Sequence, residues 1–120
     1  MKVINWSKVL QELFGDYSSI EMAKEWDTLK SKINKNDNVS GIVVARAPYG
    51  IWIDLGFGFP ALLESIVVKG MTPAIYKEDK YLPVGSTVYA KISGIREKER
   101  QIYLHQDEWP FKINDTLPNT

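Results

Sequence analysis

Val39-Ser-Gly-Ile-Val-Val-Ala-Arg-Ala-Pro-Tyr-Gly-Ile-Trp-Ile-Asp-Leu-Gly56 reads as a strand, a tight turn and a second strand. In the second strand Ile51, Ile53 and Leu55 alternate with Trp52 and Asp54. A period of two sends the aliphatic side chains to a core and Trp52 to the opposite face, which leaves a tryptophan at a surface. Tyr49 stands just before Gly50, where the chain turns, so its ring is expected beside Trp52. Two neighbouring flat faces suit the stacking of bases, worth about 1–3 kcal/mol per base. They suit equally well a half-buried aromatic pair that covers the barrel against the amino-terminal helices, an arrangement that closes the site to bases.

Outward from this hairpin the period of two persists. It predicts strands at 38–45, 51–55, 60–63, 87–92 and 101–104, punctuated by Gly50, Gly56, Gly58, Gly85 and Gly94. In the fourth, Val88, Ala90 and Ile92 oppose Thr87, Tyr89 and Lys91; in the fifth, Ile102 and Leu104 oppose Tyr103 and His105. Arg96-Glu-Lys-Glu-Arg100 makes a charged hairpin between them. The long excursion from Glu64 to Val84 has room for a helical turn at 76–80. Five short strands with an insertion after the third describe a mainly β chain, a Greek-key barrel of the oligonucleotide/oligosaccharide-binding (OB) fold.

Before residue 37 the period is helical. Trp6 to Phe14 forms an amphipathic helix, with Asn5 as N-cap, Gly15 as its stop, and Trp6, Val9, Leu10, Leu13 and Phe14 on its apolar side. A second helix is expected from Ser18, where Ser18 and Glu21 have capping-box spacing, to about Ile33, with Ile20, Ala23, Trp26, Leu29 and Ile33 as its stripe. The polar run Asn34 to Asn38 then marks a boundary near residue 36. The expected organisation is a helical extension over 1–36, a barrel over 37–106 and a loosely ordered tail over 107–120.

Composition narrows the function classes. With 120 residues, 44% hydrophobic and 25% charged, the chain makes one ordinary water-soluble unit without a membrane-spanning apolar run. The start of the chain lacks the continuous apolar segment of a secretory signal, which makes a cytoplasmic location the default. No cysteine is present, excluding disulfides, thiolate metal sites and cysteine nucleophiles. His105, the single histidine, is read as a surface residue rather than a metal ligand or base. Asp54, Glu64, Asp79 and Glu97 form no acid/base pair, and there is neither a phosphate-cradling glycine loop nor a nucleophile elbow. The expectation is a non-catalytic chain with no cofactor, no metal and no small-molecule substrate. Fifteen basic and fifteen acidic residues cancel, and the three segments carry +1, +1 and −2, so no segment is a basic domain.

Five pieces in order, Val39-x-Gly41-x-Val43, Tyr49-Gly50-Ile51-Trp52-Ile53-Asp54-Leu55, Ala61-Leu62-Leu63-x-Ser65, Val84-Gly85-Ser86-x-Val88 and Ile102-x-Leu104, resemble the RNA-binding repeat of ribosomal protein S-one. The resemblance spans about 37 to 105. It implies an OB barrel that holds single-stranded RNA against aromatics on its second and third strands, with Tyr49 and Trp52 on the two aromatic positions. Three positions depart from that pattern: Glu64 stands where a histidine is usual, Arg96 where an aspartate is, and Gln101 where an arginine is, with Arg100 next to it. Glu64 repels phosphate at the platform's edge, and Arg96 and Arg100 offset it where they point the same way.

The candidate RNA contacts are therefore Tyr49 and Trp52 for bases and Lys91, Arg96 and Arg100 for phosphates. The cations have an alternative reading as solvated strand and hairpin residues. Tyr89 and Tyr103 either extend the aromatic surface or support the sheet as a cross-strand pair. Phe57-Gly-Phe59-Pro60 is read as a plug for the barrel's end rather than a partner-binding tip. The alternative for the whole chain is a protein-interaction adaptor, a barrel without RNA chemistry whose face or helices dock a protein.

Overall fold

The computed structural model describes residues 6–68, 72 and 83–106. The expected tail over 107–120, the helical turn at 76–80 and the N-cap at Asn5 lie outside the described residues. Five strands, β1 (Asn38–Ala47), β2 (Gly50–Asp54), β3 (Pro60–Val68), β4 (Thr87–Arg96) and β5 (Gln101–Gln106), follow two helices, α1 (Trp6–Phe14) and α2 (Ala23–Lys32). The strands close into a barrel in the order β1-β2-β3-β5-β4. Every pairing is antiparallel except β3 with β5. Closure leaves no exposed sheet edge, and the topology is that of the OB fold. Among the described residues no helix is long and apolar enough to cross a membrane.

Two β-bulges decide which side chains face out. In β1 the register slips between Val43, opposite Ile53, and Ala45, opposite Trp52. Val43 therefore enters the barrel interior with Ile51 and Ile53, whereas Ala45 and Ala47 join Trp52 outside. In β4 the register slips between Ile92, opposite Leu104, and Gly94, opposite Tyr103. Gly94 is thus a bulge within a strand that runs on to Arg96, not the strand's end. Beyond the bulge Arg96 pairs with Gln101. The registers line up Ala45, Trp52, Leu62, Tyr103 and Gly94 side by side as one row across all five strands.

The interior is filled by residues that include Val43, Ile51, Ile53, Phe59, Leu63 and Ile102, all 1% exposed or less. α2 closes one end. Its Trp26 packs on Phe59 at 5.0 Å between ring centroids and belongs with Leu29 to the same interior cluster. Phe59 is the expected plug, while Phe57 stays 39% exposed. Asp54 Oδ1 accepts the Gly56 N–H at 2.8 Å, an Asx turn that ends β2 and starts this loop.

The second helix is shorter than the sequence predicts. Residues Ile20–Met22 form a 3-10 turn whose N-cap is Ser19, without a side-chain hydrogen bond, in place of the expected Ser18 with its Glu21 capping box. Three residues per turn rotate Ile20 out of the stripe, leaving it 85% exposed while Trp26 and Leu29 are buried. The Trp26 indole donates to Glu97 Oε2 at 2.9 Å, and Lys30 reaches both Glu97 oxygens at 3.0 Å. These bonds tie α2 to the β4–β5 hairpin. Asn36 N–H to Ile92 O (2.6 Å) and Ile92 N–H to Asp37 O (2.9 Å) then lead the chain directly from helix into barrel.

Candidate nucleic-acid interface

The outer row of the barrel is apolar at Ala45, Trp52 and Leu62, and α1 lies across it. Leu10 is buried there, with Trp6, Val9 and Phe14 packed around the same cluster. Trp6 stacks on Trp52 with centroids 5.5 Å apart and an interplanar angle of 20°. Tyr49 meets both rings edge-on, at 5.8 Å from Trp6 and 6.5 Å from Trp52. The sequence left this face either open to bases or covered by the amino-terminal helices, and the structure has α1 over it. Trp52 does lie on the outer face, but it is 2% exposed because Trp6 covers it, whereas Tyr49 remains 38% exposed.

Beside the stacked pair is a cleft of about 280 Å³ lined by Trp6, Tyr49, Trp52, Leu62, Glu64, Arg96 and Gln101. Two of its buried polar atoms, Trp52 Nε1 and Gln101 Oε1, have no hydrogen-bond partner. Each buried group left unpaired costs about 1–3 kcal/mol. Burial pushes the Tyr49 phenol above its ordinary pKa, and the neighbouring indole N–H of Trp52 pulls it back without reaching hydrogen-bond geometry. Tyr17, which contacts Gln101, is likewise pushed up by burial, with the Gln101 amide acting in the opposite sense. The cleft is thus lined by three aromatic rings, a cation and a carboxylate, with a buried indole N–H and a buried amide oxygen in its wall.

The candidate cations are distributed unevenly. Arg96 lies at the cleft, its guanidinium carbon 4.2 Å from the centroid of Tyr103, a cation–π contact that holds it against the outer face. Arg100 adopts φ +55° in the hairpin and donates to the carbonyls of Tyr17 at 3.2 Å and Ser19 at 2.6 Å. Its N–H groups thereby anchor the link between the helices. Lys91 pairs in register with Asn38 and His105, further along β4 and outside the cleft lining. Tyr89 and Tyr103 are not register partners: Tyr89 faces Ser40, and Tyr103 faces Leu62 and Gly94. Sequence reasoning named Tyr49, Trp52 and Arg96. It noted Gln101 and Glu64 only as departures, and it offered the amino-terminal helices as a cover over Tyr49 and Trp52 without singling out Trp6 as the ring that stacks there.

No protein-family model matches the sequence, and no curated protein matches it. Solved structures match the fold. An uncharacterized protein from Methanocaldococcus jannaschii is 18% identical, with 68% of this chain aligned to 99% of that one and a TM-score of 0.51. GSP13 from Bacillus subtilis is 19% identical over 73% of this chain and 71% of its own, with a TM-score of 0.53. A chain of the a/eIF2alpha-aDim2p-rRNA complex from Pyrococcus horikoshii is 22% identical over 61% of this chain and 44% of that one, with a TM-score of 0.50. At these identities the likeness is one of fold, and by its own strand order and registers the chain has the five-stranded OB barrel implied by the S-one resemblance, preceded by two helices.

Proposed function

We propose that this chain is a non-catalytic nucleic-acid-binding module that takes single-stranded RNA on the outer face of β2, β3 and β5. The observation that carries this reading is the cleft itself. Tyr49, Trp52 and Arg96 converge there with two buried polar atoms that have no partner, on a fold shared with a chain from an rRNA-containing complex. A base stacks on the Tyr49 ring and on the Trp52 face that Trp6 covers in this structure, and its edge meets the Trp52 N–H and the Gln101 carbonyl. Arg96, and Lys91 further along β4, take phosphates. Arg100 contributes its charge while its N–H groups hold the Tyr17 and Ser19 carbonyls. Glu64 in the lining and the zero net charge keep the affinity modest.

The test is the polarisation of a labelled, unstructured RNA titrated with wild type, Trp6→Ala, Tyr49→Ala and Arg96→Glu at low and physiological salt. Losing one stacking partner weakens binding by about 5- to 150-fold, corresponding to about 1–3 kcal/mol. Absence of binding even at low salt, by the wild type and by Trp6→Ala alike, overturns the RNA reading. The same face, covered by apolar contacts and bearing Glu64, would then favour a protein-docking role.

A further inference from the structure

We propose that α1 is a built-in occupant of the nucleic-acid face: Trp6 holds on Trp52 the place of a stacked base, and the site opens when α1 swings away. The inference rests on the RNA reading above and concerns how that site is regulated. Its first support is geometric. A flat ring lying nearly parallel to Trp52, at 5.5 Å and 20°, with Tyr49 edge-on to both, occupies the stacking position directly.

The second support is the division of the apolar contacts. The interior of the barrel, closed by Trp26 and Leu29 of α2, forms one cluster, while Leu10, Trp6, Val9 and Phe14 of α1 belong to a separate cluster on the outside. α1 can therefore leave without opening the interior. At nine residues it is too short to hold its helical form alone, so its order depends on that outer contact.

The third support is a hinge with a fixed base. Gly15 sits at φ +66° with no atom within 4 Å of the position a Cβ would take, and its N–H closes α1 onto Gln11 O at 2.9 Å. Two residues later the chain is pinned by Arg100 at the carbonyls of Tyr17 and Ser19. Motion at Gly15 thus moves α1 and leaves α2 seated. Finally, the closed state leaves Trp52 Nε1 and Gln101 Oε1 without partners, so a ligand offering an acceptor and a donor gains contacts that Trp6 does not supply.

Trp6→Ala and Leu10→Asp, each in the full chain, weaken the occupant without touching the barrel's interior. RNA binding is read by polarisation, folding by thermal unfolding, and α1 opening by amide exchange of the wild type with and without RNA. Since affinity is reduced by the closed fraction, both variants should bind about tenfold tighter or more. Adding Tyr49→Ala should cancel the gain, and RNA should speed exchange in α1 while the strands stay protected. If wild type binds and the folded variants bind no tighter, the gate is overturned while the RNA reading stands. Weaker binding by the folded variants also overturns it, since Trp6 would then be part of the platform. If no form binds RNA, both readings fall. Should Leu10→Asp unfold, Trp6→Ala and the wild-type exchange experiment decide.

Discussion

Gly50 and Gly41 show how little room the barrel leaves at single residues. A Cβ on Gly50 would lie 2.5 Å from Leu63 O and 2.7 Å from Glu64 Cα, and one on Gly41 2.5 Å from Asp54 O and 2.7 Å from Ile53 Cγ2. In both cases the obstacle includes backbone, which cannot rotate aside. Gly50→Ala should therefore destabilise the fold by about 1–3 kcal/mol, read as a lower urea midpoint with unchanged slope. In the sequence Gly50 was legible as a turn; the close approach of β3 was not. Glu97 is a second sensitive position. Its hydrogen bonds from Lys30 and then from the Trp26 indole hold its carboxyl below the ordinary glutamate value. A depressed folded pKa contributes stability that is present above the unfolded value and is lost as pH falls through the folded one. Acidification below the ordinary glutamate range should weaken the α2–hairpin link, and Glu97→Gln should flatten that part of the stability profile. The effect is small because the pair is exposed.

At the scale of elements, strand positions were readable from alternation and from glycine punctuation, and each of the five lies where the period of two placed it, most of them extended by a few residues. The side-chain directions beyond Val43 and Ile92 were not readable. A bulge inserts one residue and reverses every later side chain, and in β1 the sequence carries no mark of it. In β4 Gly94 was such a mark, read as an end instead of a bulge. Arg96 reaches the outer face for this reason alone. The helices divide in the same physical way. Trp26→Ala, in the interior cluster, should cost about 3–5 kcal/mol. Leu10→Asp should leave the main unfolding transition of the barrel largely in place while α1 amides exchange quickly, a local opening separable from global unfolding by hydrogen exchange.

For the whole molecule, the OB topology was visible in sequence because five short strands, an insertion after the third and ordered motif pieces all point to one closed barrel. The state of the site was left between an open platform and one closed by the amino-terminal helices, since amphipathicity says that α1 must pack but not on what. A neutral chain that meets phosphate mainly through Arg96 and Lys91 should bind weakly, with a shallow salt dependence. Two contacts predict that log Kobs falls against log salt with a slope of about −1.4. A steep slope would mean a larger basic surface than the one described here. The central claim, an RNA face occupied at rest by Trp6, is tested most directly by the indole N–H signals of the four tryptophans in a proton–nitrogen NMR spectrum as single-stranded RNA is added. The account predicts that the Trp6 and Trp52 signals move together, Trp52 towards a hydrogen-bonded position, while Trp26, bonded to Glu97, stays in place. RNA that binds while Trp6 and Trp52 remain still would contradict it.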